Sequence, residues 1–467
     1  MKKYYLGIDL GSTTSKAIII DEEDNIIGRG ITNTRANYLV ATEVARFEAI
    51  YNARFSLLKM KLEDEINSNP EYEKYINDVE SAFQYLKFKY KLDKLYVKFK
   101  DTIESSFSGD RKENILQIVE KIVKTIGPEI RDAYLFSNLG NKNQFFRDIV
   151  SERYNNEIKK LDPEFFDPLM LVYDKSIISV ENELTEFNFK ELISESIEIM
   201  NEKYAKLDET LAENNSSPQF YAEINLLKGN YKKIYNSLKE HLEFVATMDI
   251  HISNMVGTGY GRALLPFPEK SIKSEILCHA FGAHAIFPNT RTVLDIGGQD
   301  TKAIQVDKHG LVTSFHMNDR CAAGCGRYLG YIADEFNISL NELGPLALDA
   351  KKEVNICSTC TVFAGAEIRE LLNVGQKRSD ILAGLHRSIV MRAISLLARS
   401  GGVRNEFSFT GGVARNQAVL KYVSELIHKN YGDDIKINIG ADSIFMGALG
   451  GAMFARRSMK NLALTDK

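Results

Sequence analysis

Two sets of residues in this sequence have the types and spacing that chemistry needs. In the first, an acid ends an apolar run and is followed by glycine and small polar residues. Asp9-Leu10-Gly11-Ser12-Thr13-Thr14 lies near the start of the chain, and Asp295-Ile296-Gly297-Gly298-Gln299-Asp300 lies late in it. Glycine lets backbone N–H groups converge on an anion, which suits phosphate. The hydroxyls of Ser12, Thr13 and Thr14 can donate to phosphate oxygens, and Lys16 joins them as a candidate nucleotide-binding residue. Asp9 and Asp295 can hold Mg2+, directly or through water. Thr410-Gly411-Gly412-Val413-Ala414 offers a third turn, able to bring backbone close to a purine or ribose. The chain has no GxxxxGK[ST] sequence, so an ordinary P-loop is not expected, and Gly257-Thr258-Gly259-Tyr260-Gly261 has the wrong spacing for a dinucleotide fingerprint. One turn of this kind is a common hairpin feature; three in this order point to a nucleotide.

The second set is cysteine. Cys321-Ala322-Ala323-Gly324-Cys325 and Cys357-Ser358-Thr359-Cys360 form CxxxC and CxxC pairs. Four thiolates suit tetrahedral zinc or a [4Fe–4S] cluster, and spacing alone leaves both open. Cys278-His279 falls on an expected helix and reads as a packed thiol beside a polar helix-face histidine. Five cysteines in a reducing compartment argue for metal or redox chemistry over a disulfide framework.

The elements that must position these residues follow from periodicity. Tyr4–Leu10, Lys16–Asp21 and Ile26–Gly30 read as three strands, and Val293–Ile296, Thr301–Val306 and Phe407–Thr410 repeat the pattern. Between them the texture changes. Only four of the 31 glycines fall between residues 36 and 245, and there Leu, Ile, Tyr and Phe recur at three- and four-residue steps, the mark of amphipathic helix. Pro70, Pro128, Pro163, Pro168 and Pro218 are expected to divide that block into segments. The expected organisation is residues 1–37 as the first part of half-domain I, 38–245 as a helical insertion, 246–290 as the completion of half-domain I, and 291–467 as half-domain II.

The 467 residues are 44% hydrophobic and 26% charged, ordinary for a protein with a real core. A net charge of −4 gives no basic field for nucleic acid or an anionic membrane. No apolar run reaches the roughly 18 residues of a membrane helix. The opening Met-Lys-Lys-Tyr-Tyr-Leu-Gly-Ile meets Asp9 too soon for a signal peptide, so the expected location is the cytoplasm.

The paired turns around a split α/β domain resemble the actin/Hsp70/hexokinase ATPase superfamily. That resemblance implies duplicated actin/Hsp70-like half-domains clamping ATP, here with a large all-helical insertion, and gives Gln299, Asp300 and Asp295 catalytic roles, Gln299 or Asp300 orienting the attacking water. More specifically, Asn318–Arg327, Ser358–Ala364, Leu294–Asp300, Thr258–Arg262 and Thr410–Ala414 resemble the ATP-dependent activators of 2-hydroxyacyl-CoA dehydratases and the ATPase subunits of benzoyl-CoA reductases. In this family each subunit gives two cysteines to one [4Fe–4S] cluster shared across a dimer interface, and by motif those are Cys321 and Cys360. Cys325 and Cys357 are further candidate ligands. Cys325, the helical insertion and the segments Ile31–Tyr38 and Arg262–Pro268 resemble the larger benzoyl-CoA reductase ATPase subunit. The resemblance implies ATP, Mg2+ and the cluster as cofactors, a second ATPase subunit, ferredoxin as donor, and catalytic subunits that hold an aromatic acyl-CoA. A homodimeric activator of a 2-hydroxyacyl-CoA dehydratase is the alternative. A sugar-kinase-like phosphotransferase with structural zinc and a non-enzymatic nucleotide sensor are readings of other classes.

Overall fold

Apolar runs broken by Gly-containing turns build two sheets of the same plan. The first has order β3-β2-β1-β4, from β1 (Tyr4–Leu10), β2 (Thr14–Ile20), β3 (Ile26–Asn33) and β4 (Ile252–Thr258). β1–β3 form an antiparallel meander, and β4 runs parallel to β1. The second has order β7-β6-β5-β8-β9, from β5 (Thr292–Ile296), β6 (Thr301–Val306), β7 (Val312–Asn318), β8 (Phe407–Thr410) and β9 (Ile437–Asn438). Its first three strands are again a meander, with β8 parallel to β5. The repeat extends to side chains. Asp9 pairs in register with Lys16 on β2 and Thr258 on β4, as Asp295 pairs with Lys302 on β6 and Thr410 on β8.

The structure, a computed structural model, describes residues 2–34, 37–136, 145–212, 218–265, 267–318, 325–336, 338–352, 354–356 and 361–465. For 204–212, 218–231, 361–363 and 460–465 it describes backbone alone. The chain divides into two units, one of residues 1–34, 41–49 and 251–467, the other of residues 35–40 and 50–250.

Every secondary-structure element of the second unit, among its described residues, is a helix. Its elements are α1 (Tyr38–Lys61, of which Ala41–Ala49 belongs to the first unit), α2 (Glu63–Ser68), α3 (Glu71–Ser106), α4 (Gly109–Phe136), α5 (Phe146–Ile158), α6 (Phe166–Glu181), α7 (Phe189–Ala212) and α8 (Pro218–Thr247). Phe88, Leu92, Leu95, Phe99 and Ile103 on α3 meet Ile115, Val119, Ile122, Ile126 and Ile130 on α4 in one core. Three- and four-residue steps put each set on one helix face, and burying each such side chain is worth about 1.5–3 kcal/mol. Pro128 does not end a segment: it lies inside α4. The apolar stripe on both sides of it, Ile122-Ile126-Ile130, holds the helix on α3 through the missing hydrogen bond.

The first unit adds α9 (Glu275–Ile286), α10 (Gly326–Phe336), α11 (Leu340–Leu348), α12 (Thr361–Asn373), α13 (Arg378–Ser400), α14 (Gln417–Tyr431) and α15 (Met446–Thr465). α10, α11, α13 and α14 share a core with β5 and β8, through Leu329, Leu343, Leu385, Val419 and Phe409 among others. α15 follows the second sheet in the chain but packs on β1, β4 and α9 of the first. Among the described residues one helix, α13, is long and apolar enough by composition to cross a membrane. Of its most apolar window 67% is buried inside the protein, so core packing accounts for the hydropathy.

Candidate nucleotide site

The three expected turns come from strand ends. The first, Gly11–Thr13, joins β1 to β2 and is braced by Thr34, whose hydroxyl donates to Gly11 O at 2.6 Å and whose N–H donates to Thr13 O at 2.8 Å. The second, Gly297–Asp300, joins β5 to β6 and is closed by the Gly297 N–H donating to Asp300 O at 2.9 Å. The two tips touch: a Cβ on Gly298 would collide with Thr13 Oγ1. The third turn follows β8. Gly411 has φ +89°, where an L side chain is strained, and its N–H donates to Ser443 O at 2.9 Å. It lies against the backbone of Ile296, so the third turn adjoins the second at the end of β5.

Beneath the turns lies a buried set of charges. Asp9 and Asp295 are 3% and 1% exposed. Thr410 Oγ1 donates to Asp295 Oδ1 at 2.9 Å. Lys302, 3% exposed, places Nζ 2.7 Å from Asp300, 3.7 Å from Asp295 and 4.0 Å from Glu275. His279 Nδ1 lies 3.2 Å from Asp295 Oδ1, outside hydrogen-bond alignment, and Nε2 lies 3.8 Å from Asp9 Oδ2. Lys16 Nζ is 3.7 Å from the same Asp9 oxygen.

Burial by itself would push the Asp295 carboxyl up, but the charges of His279 and Lys302 and the Thr410 hydroxyl outweigh it and hold the group below the usual carboxylate range. Burial would likewise push His279 and Lys302 down; the charges of Asp295 and Asp9 raise the imidazole, and those of Asp295, Asp300 and Glu275 raise the ammonium. Glu275 is pushed up by burial, against the opposing charge of Lys302.

Asp9, Gly11, Ser12, Thr13, Thr14, Lys16, Asp295, Gly297, Gly298, Gln299 and Asp300 therefore fall on two touching hairpins, with Gly411 and Gly412 beside the second. Cys321, Cys357 and Cys360 lie outside the described residues. Cys325 is buried in the core of the second sheet, and burial pushes its thiol up. Thr34, Glu275 and Lys302 belong to the site without having been singled out by motif, and His279, expected on a polar helix face, is instead buried between Asp9 and Asp295 because α9 packs its face onto the ends of β1 and β5. Glu275 and His279 stand four residues apart on α9, one helix face, and that spacing was the available signal.

Two hairpins and a third turn at the ends of parallel-paired strands make an arrangement able to take phosphate and a nucleoside, and one family model spans nearly the whole sequence, matching residues 6–455. The chain belongs to the BadF/BadG/BcrA/BcrD ATPase family. Membership in an ATPase family implies ATP as the nucleotide and its hydrolysis as the reaction. A relative in sequence, the 2-hydroxyisocaproyl-CoA dehydratase activator of Clostridioides difficile, is 41% identical over 204 residues, which are 44% of this chain and 74% of that protein. A benzoyl-CoA reductase subunit of Thauera aromatica is 31% identical over 232 residues, 50% of this chain and 80% of that protein. The crystal structure of Acidaminococcus fermentans (R)-2-hydroxyglutaryl-CoA dehydratase component A aligns over 98% of this chain and 99% of its own, with a TM-score of 0.51 and 22% identity. That likeness shows the fold, an actin-like pair of ATPase half-domains.

Proposed function

We propose that this member of the family is an ATP-driven electron-transfer protein that holds half of a [4Fe–4S] cluster through Cys321 and Cys360 and serves a partner acting on an acyl-CoA. Its main support is a pair of backbone hydrogen bonds. Gly326 N–H donates to Gly297 O at 2.9 Å, and Arg327 N–H donates to Gly298 O at 2.8 Å. The first turn of α10, directly after the CxxxC segment, is thus tied to the second phosphate hairpin. A hairpin that moves with the nucleotide's phosphates carries that helix start with it.

The residues present fit both implied groups. Asp9 is 3% exposed, and its nearest cationic groups, Lys16 Nζ at 3.7 Å and His279 Nε2 at 3.8 Å, stand beyond hydrogen-bond distance, so the carboxylate keeps capacity for a hydrated cation. Mg2+ would be held by Asp9 and Asp295 with water and phosphate oxygens completing its shell, and would neutralise phosphate charge. Cys321 and Cys360 lie outside the described residues, and thiolates of this kind are the ligands a [4Fe–4S] cluster takes. The cluster supplies one-electron chemistry when bound. Cys325, packed in the core, is left out of the ligand set.

Within the cradle, Ser12, Thr13, Thr14 and Lys16 hold phosphate from one side and the Gly297 and Gly298 turn from the other. Gly411 and Gly412 border the nucleoside. The Gln299 side chain has no hydrogen-bond partner among the described residues and is the group placed to orient the attacking water. Asp300 is engaged by Lys302 and serves to anchor it.

The higher identity to an activator favours a 2-hydroxyacyl-CoA dehydratase-type partner. A second reading is an ATPase subunit of an aromatic acyl-CoA reductase such as benzoyl-CoA reductase. It is favoured by the helical unit: the activator match takes in 74% of that protein but only 44% of this chain, leaving room for an added body. In either case the partners are a second, identical or paralogous ATPase subunit, ferredoxin as donor and the acyl-CoA-binding subunits.

Anaerobic purification with its partners, followed by iron and sulfide analysis and an assay of ATP-dependent reduction of a low-potential acceptor, tests the function. Iron, sulfide and ATP-dependent reduction are expected, and Gln299→Ala slows hydrolysis by roughly 10²-fold or more. A homodimer supports the activator, and a stable complex with a sister ATPase supports the reductase. Zinc without sulfide, with phosphate transferred to a small alcohol, would overturn both.

A further inference from the structure

His279 stands where the two half-domains of the first unit meet. It rides on α9, and its two ring nitrogens face carboxylates from different sheets: Asp295 at the end of β5, 3.2 Å from Nδ1, and Asp9 at the end of β1, 3.8 Å from Nε2. The remaining charges around it come from every neighbouring element: Glu275 one turn earlier on α9, Lys16 on β2, Lys302 on β6 and Asp300 in the second hairpin. α15 closes the fourth side at Gly447, where a Cβ would lie 2.8 Å from His279 Nε2 and 2.9 Å from Asp9 Oδ2. Of the carboxylates around it, only Asp9 and Asp295 form ion pairs with the imidazole among the described residues.

Two buried carboxylates that must converge on one cation repel each other before it arrives. Something has to hold them at a set separation. Each sheet supplies its own lysine, Lys16 beside Asp9 and Lys302 beside Asp295, and among the described ion pairs neither lysine reaches the other sheet's aspartate. His279 is the group near both. We propose that His279 is a positioning residue that fixes the span between Asp9 and Asp295 and so prepares the site for magnesium-bound nucleotide. This rests on the nucleotide site described above. Groups that orient metal-binding carboxylates from behind typically govern metal affinity by 10–100-fold.

The test uses the full-length protein with His279→Asn and His279→Gln, which retain an N–H near one or the other ring nitrogen. ADP binding is measured by calorimetry in Mg2+ and again in EDTA. The electron paramagnetic resonance spectrum of the Mn2+·ADP complex reports the metal's surroundings. Both variants are expected to lose about 10–100-fold in ADP affinity with Mg2+, to match the wild type in EDTA, and to change the Mn2+ spectrum. An equal loss with and without Mg2+, or no loss at all, overturns the inference. Failure of both variants to fold also overturns it, since His279 would then be a packing residue. If wild-type protein binds no ADP under either condition, the nucleotide site itself falls.

Discussion

Asp295 and Lys302 face each other across β5 and β6, with Nζ 3.7 Å from the carboxylate and both side chains almost wholly buried. Lys302 also answers Asp300 and Glu275, so one ammonium balances three acids. Lys302→Met removes that balance. The expected cost is roughly 3–5 kcal/mol, because carboxylates are left buried without a cation. The loss should be smaller at pH 5 than at pH 8, since a proton on Glu275, already pushed up by burial, relieves the excess charge. Urea unfolding at the two pH values measures it; an equal loss at both would show that the acids do not feel the lysine.

Gly298→Ala drives a methyl group into Thr13 Oγ1. The two hairpin tips must separate, and ADP affinity is expected to fall at least tenfold, by about 1.4 kcal/mol. Gly330→Ala is the companion control. A Cβ there meets nothing within 4 Å, and inside α10 the change should add up to about 1 kcal/mol of stability. Calorimetry and thermal unfolding separate the two effects.

His386 is held neutral. Its Nδ1 lies 2.6 Å from Leu382 O and its Nε2 3.1 Å from Asn416 Nδ2, so one nitrogen donates and the other accepts. Burial pushes the imidazole down to about 4. Between the unfolded value of about 6.5 and that folded value, only the unfolded chain takes up the proton. Stability therefore falls as pH drops through this window, by up to about 1.4 kcal/mol per unit from this residue. In His386→Gln that contribution is gone. The wild-type advantage over the variant is expected to shrink between pH 7 and pH 5, and a constant difference would assign the proton uptake elsewhere.

Cys278 and Cys325 are both buried. Burial pushes the Cys278 thiol up to about 12 and raises that of Cys325. Neither should react with iodoacetamide at pH 8 in the folded, metal-free protein, and both should react in urea. Peptide mass spectrometry reads this directly. Rapid native labelling of Cys325 would return it to the ligand set.

The sequence by itself determined the local chemistry. Strand–turn–strand patterns around Asp9 and Asp295, the third turn at Gly411 and the helical stripes of the insertion depend on neighbours within a few residues, because alternation, glycine turns and helical periodicity are local. The tertiary structure decided what those pieces meet. Asp9 and His279 are far apart in the chain, and only the parallel pairing of β1 with β4, followed by α9, brings them together. The return of α15 to the first sheet, the burial of Lys302 among three acids and the place of Cys325 in a core are likewise products of packing between distant segments. A residue's type and spacing show what it can do; whether it is buried, and which charges stand opposite it, is set by contacts that no local pattern encodes.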